Sequence, residues 1–362
     1  MNILLIAPLP PPLNGQSLAA DTIYRALASF NNVKTVNMAK LRPKSFMDKV
    51  GRCFEVFSFL IQVLFKQYRC NLIYLTISES IAGNIKDICI YLICFGKLKN
   101  TFVHMLGGAG MKSILERKGV LFKLNKFFIS KMRGVIVEGQ AQANTFAQLI
   151  NSERIHIVPN FAEDFLLVSE DEVRHKFTDT NPLQILFLSN LLYGKGHNEL
   201  ADAYIALSDE IKKRVKIVFV GGFESDEYKK LFFNKITNYE NLIYYGNFVS
   251  GNDKRALYCQ SHIFCLPTYY PYEGQPISIL EAFATGCAVI TTYHSGIPEI
   301  FTDKINGIVV EKKSVDSIKV AIEQCVANRT KLFDTAIFNR NIAYQKYRTE
   351  VYCSSLLKIM CL

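Results

Sequence analysis

Short apolar runs that recur along the chain, each followed by a helical stretch, constrain the fold more than any other feature. In the first half they are "NILLIAP", "LIYLTIS", "FVHML", "GVIVEG" and "IHIVPN". After the polar stretch "SEDEVRHKFTDTNPL" the pattern restarts near Asn181 with "QILFLS", "VKIVFVGG", "LIYYGNFV", "IFCLPT" and "CAVITT". Strands that alternate with helices build βαβ units, and βαβ units build parallel sheets. The restart predicts an α/β protein with two doubly wound Rossmann-like domains. The length of 362 residues agrees, being too great for one ordinary core. The expected boundaries are 1–165 and 166–340, with 341–362 a C-terminal helix packing back on the first domain. Ligands of such sheets lie outside the carboxyl ends of the strands, so function is to be sought in the turns after them.

Composition narrows the function classes. The chain is 49% apolar and 20% charged, which suits a globular protein. It has no uninterrupted apolar run of membrane-spanning length, and "MNILLIAPLPPP" is too short and too uncharged for a secretory signal. The ten cysteines are scattered without a CxxC pair, a pattern of reduced, buried thiols in a cytoplasmic protein that argues against a zinc site. The net charge of +10 is uneven: through Phe165 there are 20 Lys and Arg against 10 Asp and Glu, and beyond it 22 against 22. A basic first half implies an anionic partner there, or else a lysine-rich solvated surface. Nucleic acid is disfavoured, because no binding motif and no regular aromatic–basic interleaving is present.

Four turns carry chemistry-bearing residues. "PLPPPLNGQS" follows the first strand and opens a helix from about Ser17 to Phe30, with Gly15 allowing close backbone approach. It is not GxGxxG, so a nicotinamide site loses its fingerprint. In "FVHMLGGAG", His104 ends a strand before a glycine-rich turn, where it can donate to a ligand oxygen or serve structurally. In "FLSNLLYGKG", Lys195 sits between two glycines and can reach a phosphate as a point charge, or be an ordinary turn lysine. In "YEGQPISILEAFATGCAVI", Glu273 precedes a helix started by Pro276, and Glu281 lies roughly 7–8 Å along its axis. Backbone N–H groups in the stretch from Gly274 to Ser278 lie between the two acids, at the positive end of the helix. This suits a ligand carrying hydroxyls and an anion; it also fits a plain capped helix with one solvated Glu.

Together the ordered set "PLNGQS", "HMLGG", "VIVEGQAQANTF", "RIHIVPNF", "FLSNLLYGKG", "FVGG", "YGNFVS", "CLPTYYPYEGQPISILEAFATGCAVITT" and "SGIPEI" resembles the family-4 retaining glycosyltransferases. The resemblance covers nearly the whole chain, and its most specific piece is Glu273-x7-Glu281. It implies the GT-B fold, two Rossmann-like domains facing a central cleft, with the acceptor on the first and the nucleotide sugar on the second. It implies that Glu273 contacts the donor sugar's hydroxyls, that Glu281 binds the ribose, and that Lys195 holds the diphosphate. Gly15 then approaches the phosphates and His104 faces the sugar. Phe248, Val249, Gly274, Gln275, Pro276 and Ile277 fall at further donor-binding positions. Asn190 departs from the family, whose members often carry Arg there, and leaves Lys195 without a cationic neighbour.

The activity so implied is transfer of a hexose or N-acetylhexosamine, with retention, from a nucleotide sugar to a glycan acceptor. A UDP-sugar is favoured over a GDP-sugar, and neither metal nor cofactor is expected. The acceptor implied is a lipid-linked oligosaccharide of surface polysaccharide or O-antigen biosynthesis. The basic half, with the basic–apolar segment Leu41–Arg69 and its Lys44, Lys49 and Arg52, then fits a peripheral enzyme on the anionic inner face of the cell membrane, or else a buried core helix of the first domain with snorkelling lysines. The competing expectation is a catalytically degenerate nucleotide-sugar or carbohydrate-binding protein.

Overall fold

A computed structural model describes residues 1–39, 46–108, 110–178 and 182–361. The chain divides into two compact units, Met1–Asn160 with Glu350–Leu362, and Phe161–Thr349. The breaks thus follow Asn160 and Thr349, against the expected 165 and 340.

The first unit contains β1 (Asn2–Ala7), α1 (Gly15–Ala28), β2 (Asn32–Asn37), α2 (Phe46–Lys66), β3 (Leu72–Thr76), α3 (Ile81–Ile93), β4 (Thr101–Met105), α4 (Gly110–Glu116), α5 (Val120–Ile129), β5 (Gly134–Val137), α6 (Gln140–Phe146) and β6 (Ile155–Ile157). Its sheet is parallel with order β2-β1-β3-β4-β5-β6. β3, β4 and β5 are buried along their whole length, as continuous apolar runs in a doubly covered sheet require. The edge strand β2, "NVKTVN", alternates polar and apolar residues and half exposes them, which is why its sequence carries no strand-like run. Helix α1 starts two residues before the expected Ser17. Asn14 accepts from the Ser17 backbone N–H at 3.0 Å while Ser17 Oγ accepts from the Asn14 N–H at 2.9 Å, closing a reciprocal cap.

The second unit contains α7 (Glu170–Thr178), β7 (Leu183–Leu188), α8 (His197–Ile205), α9 (Asp209–Lys212), β8 (Val215–Val220), α10 (Asp226–Ile236), β9 (Leu242–Gly246), α11 (Gly251–Gln260), β10 (Ile263–Leu266), α12 (Ile277–Ala284), β11 (Ala288–Thr291), β12 (Gly307–Val309), α13 (Val315–Ala327) and α14 (Arg329–Lys346). The final helix, α15 (Thr349–Met360), falls almost wholly in the first unit. The second sheet is also parallel, in the order β12-β11-β10-β7-β8-β9. Its strand order reverses between β7 and β10, the switch point at which a doubly wound sheet opens a ligand crevice. The three-residue edge strand β12 is too short to stand out in the sequence. Pro276 is the N-cap of α12, not its first helical residue, and its ψ of 115° is extended.

The second unit runs on past residue 340 because α14 is tied into it. Asn339 is fully buried. Its Nδ2 donates to the carbonyls of Cys287 at 2.8 Å and Asn306 at 2.9 Å, and its Oδ1 accepts from Asn306 Nδ2 at 2.8 Å. The backbone N–H of Ala162 also donates to the Tyr347 carbonyl at 2.7 Å, so the unit's two ends are joined. Asn339→Leu leaves the buried Cys287 carbonyl and the Asn306 side-chain amide without this partner, each at a cost of about 1–3 kcal/mol, while the Asn306 carbonyl keeps the Val289 N–H at 3.1 Å. The expected loss is about 3 kcal/mol in urea unfolding; an unchanged midpoint would show that these bonds do not hold α14 in place.

Candidate active site

The turns after β7 and β10 meet at the switch point of the second sheet. The β7 turn carries Asn190, Gly194, Lys195 and Gly196 into α8, and the β10 turn carries Thr268 to Glu273 towards α12. Gly194 and Gly196 have φ of +92° and +89°, a region L side chains rarely adopt. A Cβ on Gly196 would lie 2.5 Å from the Pro267 carbonyl oxygen, so only glycine lets the two turns approach this closely. The approach seats Lys195 Nζ between both oxygens of Glu273, at 3.0 Å from Oε1 and 2.8 Å from Oε2. Thr268 Oγ1 donates to Oε2 at 2.8 Å, and the Tyr270 ring lies 4.9 Å from the lysine nitrogen. Only 12% of the lysine side chain and 9% of the glutamate side chain are exposed. Such a pair is stabilising only while both partners remain, and removing one leaves a buried unpaired charge.

Glu281 is held by a second set of residues. It lies inside α12 and is 2% exposed. Lys254 of α11 donates to its Oε1 and, at 3.3 Å, to Glu163 Oε2. Tyr258, one turn on, donates to Glu281 Oε2 at 3.0 Å. Burial works against a charge on Lys254, but Glu281 and Glu163 outweigh it and raise its pKa. Burial, then the neighbouring Glu281 carboxylate, pushes the Tyr258 phenol well above its ordinary value, so it stays a donor. Neither residue was singled out from the sequence. The Lys254-x3-Tyr258 spacing, which puts both on one helical face, was the available signal.

The start of α12 is braced from behind. Gln275, Pro276 and Ile277 are buried and Gly274 half-buried. Ser295 Oγ donates to the Glu273 carbonyl at 2.6 Å. A Cβ on Gly296 would come within 3.0 Å of the Gly274 carbonyl, so "SGIP" packs tightly against the turn. Asn190 is exposed at the end of β7, and Phe248 (exposed) and Val249 (half-buried) occupy the turn between β9 and α11.

In the first unit, Gly15 is the exposed first residue of α1. His104 needs correction. It lies inside β4 with 0% exposure, and its Nδ1 shares a hydrogen bond with the buried Tyr74 hydroxyl. Its Nε2 has no hydrogen-bond partner among the described residues, and burial pushes its pKa down to about 3. The ring is wholly enclosed beside Tyr74 in this structure, and we assign it a place in the core. The first sheet has its own switch point, between β1 and β3, and the turn after β3 carries Glu79, also missed from the sequence. Burial drives the Glu79 carboxyl up to about 7, against backbone N–H donors from Gly110 and Gly108. Gly107 and Gly110 make room for it: a Cβ on Gly107 would lie 2.5 Å from Glu79 Oε2, and one on Gly110 2.4 Å from the Glu79 carbonyl oxygen.

Residues 168–343 match the family model described as glycosyl transferases group 1. An uncharacterized glycosyltransferase of Methanocaldococcus jannaschii is 26% identical over 248 residues, 65% of this chain and 62% of that protein. The O-antigen chain mannosyltransferase B of Escherichia coli is 29% identical over 141 residues, 38% of this chain and 35% of that protein. The chain therefore spans less than two thirds of these curated relatives. Among solved structures, Anabaena HepE in complex with UDP superposes with a TM-score of 0.76 at 17% identity, over 100% of both chains. The fold is GT-B.

In this GT-B chain the buried ionisable groups of the first unit make stability depend on pH. Glu79 keeps its proton to about 7 when folded but releases it near 4.5 when unfolded, so its contribution falls as pH rises between those values. Glu79→Gln, which stays neutral, should therefore stabilise the protein by up to about 3 kcal/mol at about pH 8 and have little effect at about pH 4. Urea unfolding at both values checks this; an equal change at both would place the effect in packing instead.

Proposed function

We propose that this chain is a glycosyltransferase that moves a hexose or N-acetylhexosamine from a nucleotide sugar to a glycan acceptor, with retention of configuration. The observation that carries the reading is the pair of acids on α12 and its leading turn: Glu273 bound to Lys195 at the switch point, and Glu281 held rigid eight residues on. In this reading Glu281 accepts from ribose hydroxyls and Glu273 from sugar hydroxyls. Lys195 shifts part of its interaction from Glu273 to the diphosphate, whose charge grows as the glycosidic bond breaks. The amides leading α12 face the phosphates. Asn190 leaves Lys195 as the one cation of the β7 turn, and no metal or cofactor is assigned. The departing phosphate takes the acceptor's proton on the same face, so no covalent nucleophile is invoked.

HepE has been crystallised with UDP and with UDP-glucose, which favours a UDP-sugar over a GDP-sugar here. The O-antigen relative favours a lipid-linked oligosaccharide acceptor in surface polysaccharide biosynthesis. The enzyme would work as a peripheral protein on the anionic inner face of the cell membrane; no helix among the described residues is long and apolar enough to cross it.

Glu281→Ala should weaken UDP binding by roughly 1.5–3 kcal/mol, the value of a charge-assisted bond. Tyr258→Phe should weaken it by about 1 kcal/mol through the loosened Glu281. Glu273→Ala should retain UDP affinity and lose turnover. Calorimetric titration with UDP, alongside assays of UDP release from UDP-sugars, decides this. Binding without any release from any sugar nucleotide would instead identify a degenerate binding protein, and loss of UDP affinity in Glu273→Ala alone would reverse the two acids' roles.

A further inference from the structure

Helices α2, α3 and α5 lie side by side over the first sheet, α2 against α3 and α3 against α5. Their inner residues, among them Val63, Ile90 and Phe128, are buried in the core of the first unit. Their outer residues are also apolar, which an ordinary surface helix does not require. On α2, Phe54, Phe57, Ile61, Leu64 and Phe65, and Tyr68 in the turn that follows it, are all exposed, Phe54 and Phe65 at 72%. Their spacing of three and four places them in one stripe along the helix. On α3, the turn after it and α5 the pattern continues. Leu92, Phe95 and Phe127 are exposed, and the Phe95 and Phe127 rings stack with centroids 6.2 Å apart. Exposed aromatics in such numbers mark an interaction surface.

We propose that this three-helix face is the surface by which the protein docks on an anionic lipid bilayer, its aromatics entering the interface and its lysines meeting the headgroups. Basic side chains are interleaved with the aromatics. Lys131 Nζ lies 4.4 Å from the centre of the Phe127 ring and Lys118 Nζ 4.2 Å from that of Phe122; Lys123 of α5 and Arg69, just after α2, are exposed as well. Charge decides the occupant. The first unit holds 21 Lys and Arg against 9 Asp and Glu, the second 21 against 23. A second copy docking through the same face would bring two strongly basic surfaces together, whereas an anionic bilayer neutralises the excess. An apolar, basic face of this kind lies in a membrane interface without crossing the bilayer. Of the basic residues expected from sequence to do this, Lys44 and the side chain of Lys49 lie outside the described residues, while Arg52 is engaged with Glu55. The binding surface is thus assigned to the described helices.

The proposal rests on the reading of this chain as a transferase working at a bilayer, and the test separates the two. The full chain is floated with phosphatidylcholine vesicles, with and without phosphatidylglycerol, over a range of sodium chloride concentrations. Binding is expected only with phosphatidylglycerol, falling steeply with salt. Phe54→Ser/Phe57→Ser/Phe65→Ser should reduce it about tenfold or more, and Lys123→Gln and Lys131→Gln about fivefold each. All variants should keep wild-type circular dichroism and UDP affinity, since these side chains are exposed. No binding to either vesicle, equal binding to both, variants that bind as wild type does, or a lipid-free dimer split by the triple variant would each overturn the proposal. Normal vesicle binding with no turnover of any UDP-sugar would instead sink the transferase reading and leave the surface standing.

Discussion

The ion pair between Lys195 and Glu273 is the constraint on which the rest of the site depends. It joins two turns that leave different strands, β7 and β10, and it is nearly shut off from water. An unpaired charge at that depth would be strongly destabilising, so the backbone must bring the two turns together and keep them there. Gly196 makes the approach sterically possible, and Thr268 and Tyr270 enclose the pair. The glycines at 194, 196 and 296 follow from this one requirement: wherever a turn presses against its neighbour, a Cβ is missing.

The same logic extends from the pair to α12. Once Glu273 is anchored, the chain from Gly274 to Ile277 must turn at once into a helix, and Ser295 and Gly296 brace it from behind. Glu281 then projects from the second turn of that helix into a pocket of its own, where Lys254 and Tyr258 satisfy both oxygens. The two acids are thereby held in different electrostatic settings, one sharing a turn lysine and one fixed by a neighbouring helix. That difference is the physical basis for giving them different roles towards a ligand with both a sugar and a nucleotide.

Much of this was legible in the residues. The apolar runs of β1, β3, β4, β5, β7, β8 and β10 are central strands buried on both faces, and central strands announce themselves. The edge strands β2 and β12 did not, β2 because its residues are mostly polar and half solvated and β12 because it is three residues long, although the edge strands β6 and β9 kept apolar runs that show. The glycine-flanked Lys195 and the spaced acids were visible because backbone approach and charge leave marks at fixed positions. Lys254 and Tyr258 were missed because their significance lies in a partner on another helix, which spacing alone does not reveal. The burial of His104 was not visible for a related reason: a histidine at the end of an apolar run looks exposed, yet the strand runs one residue further, to Met105, and the ring is buried beside Tyr74.

The central claim, that Lys195 and Glu273 act as one unit, is tested most directly by a double-mutant cycle with Lys195→Met and Glu273→Gln, read in urea unfolding. Each single variant leaves a buried polar partner unsatisfied, at a cost of about 3–5 kcal/mol. The account predicts that the double variant is no less stable than either single one, a coupling of about 3 kcal/mol. Losses that simply add would contradict it, and would mean that the two side chains meet at the switch point without depending on each other.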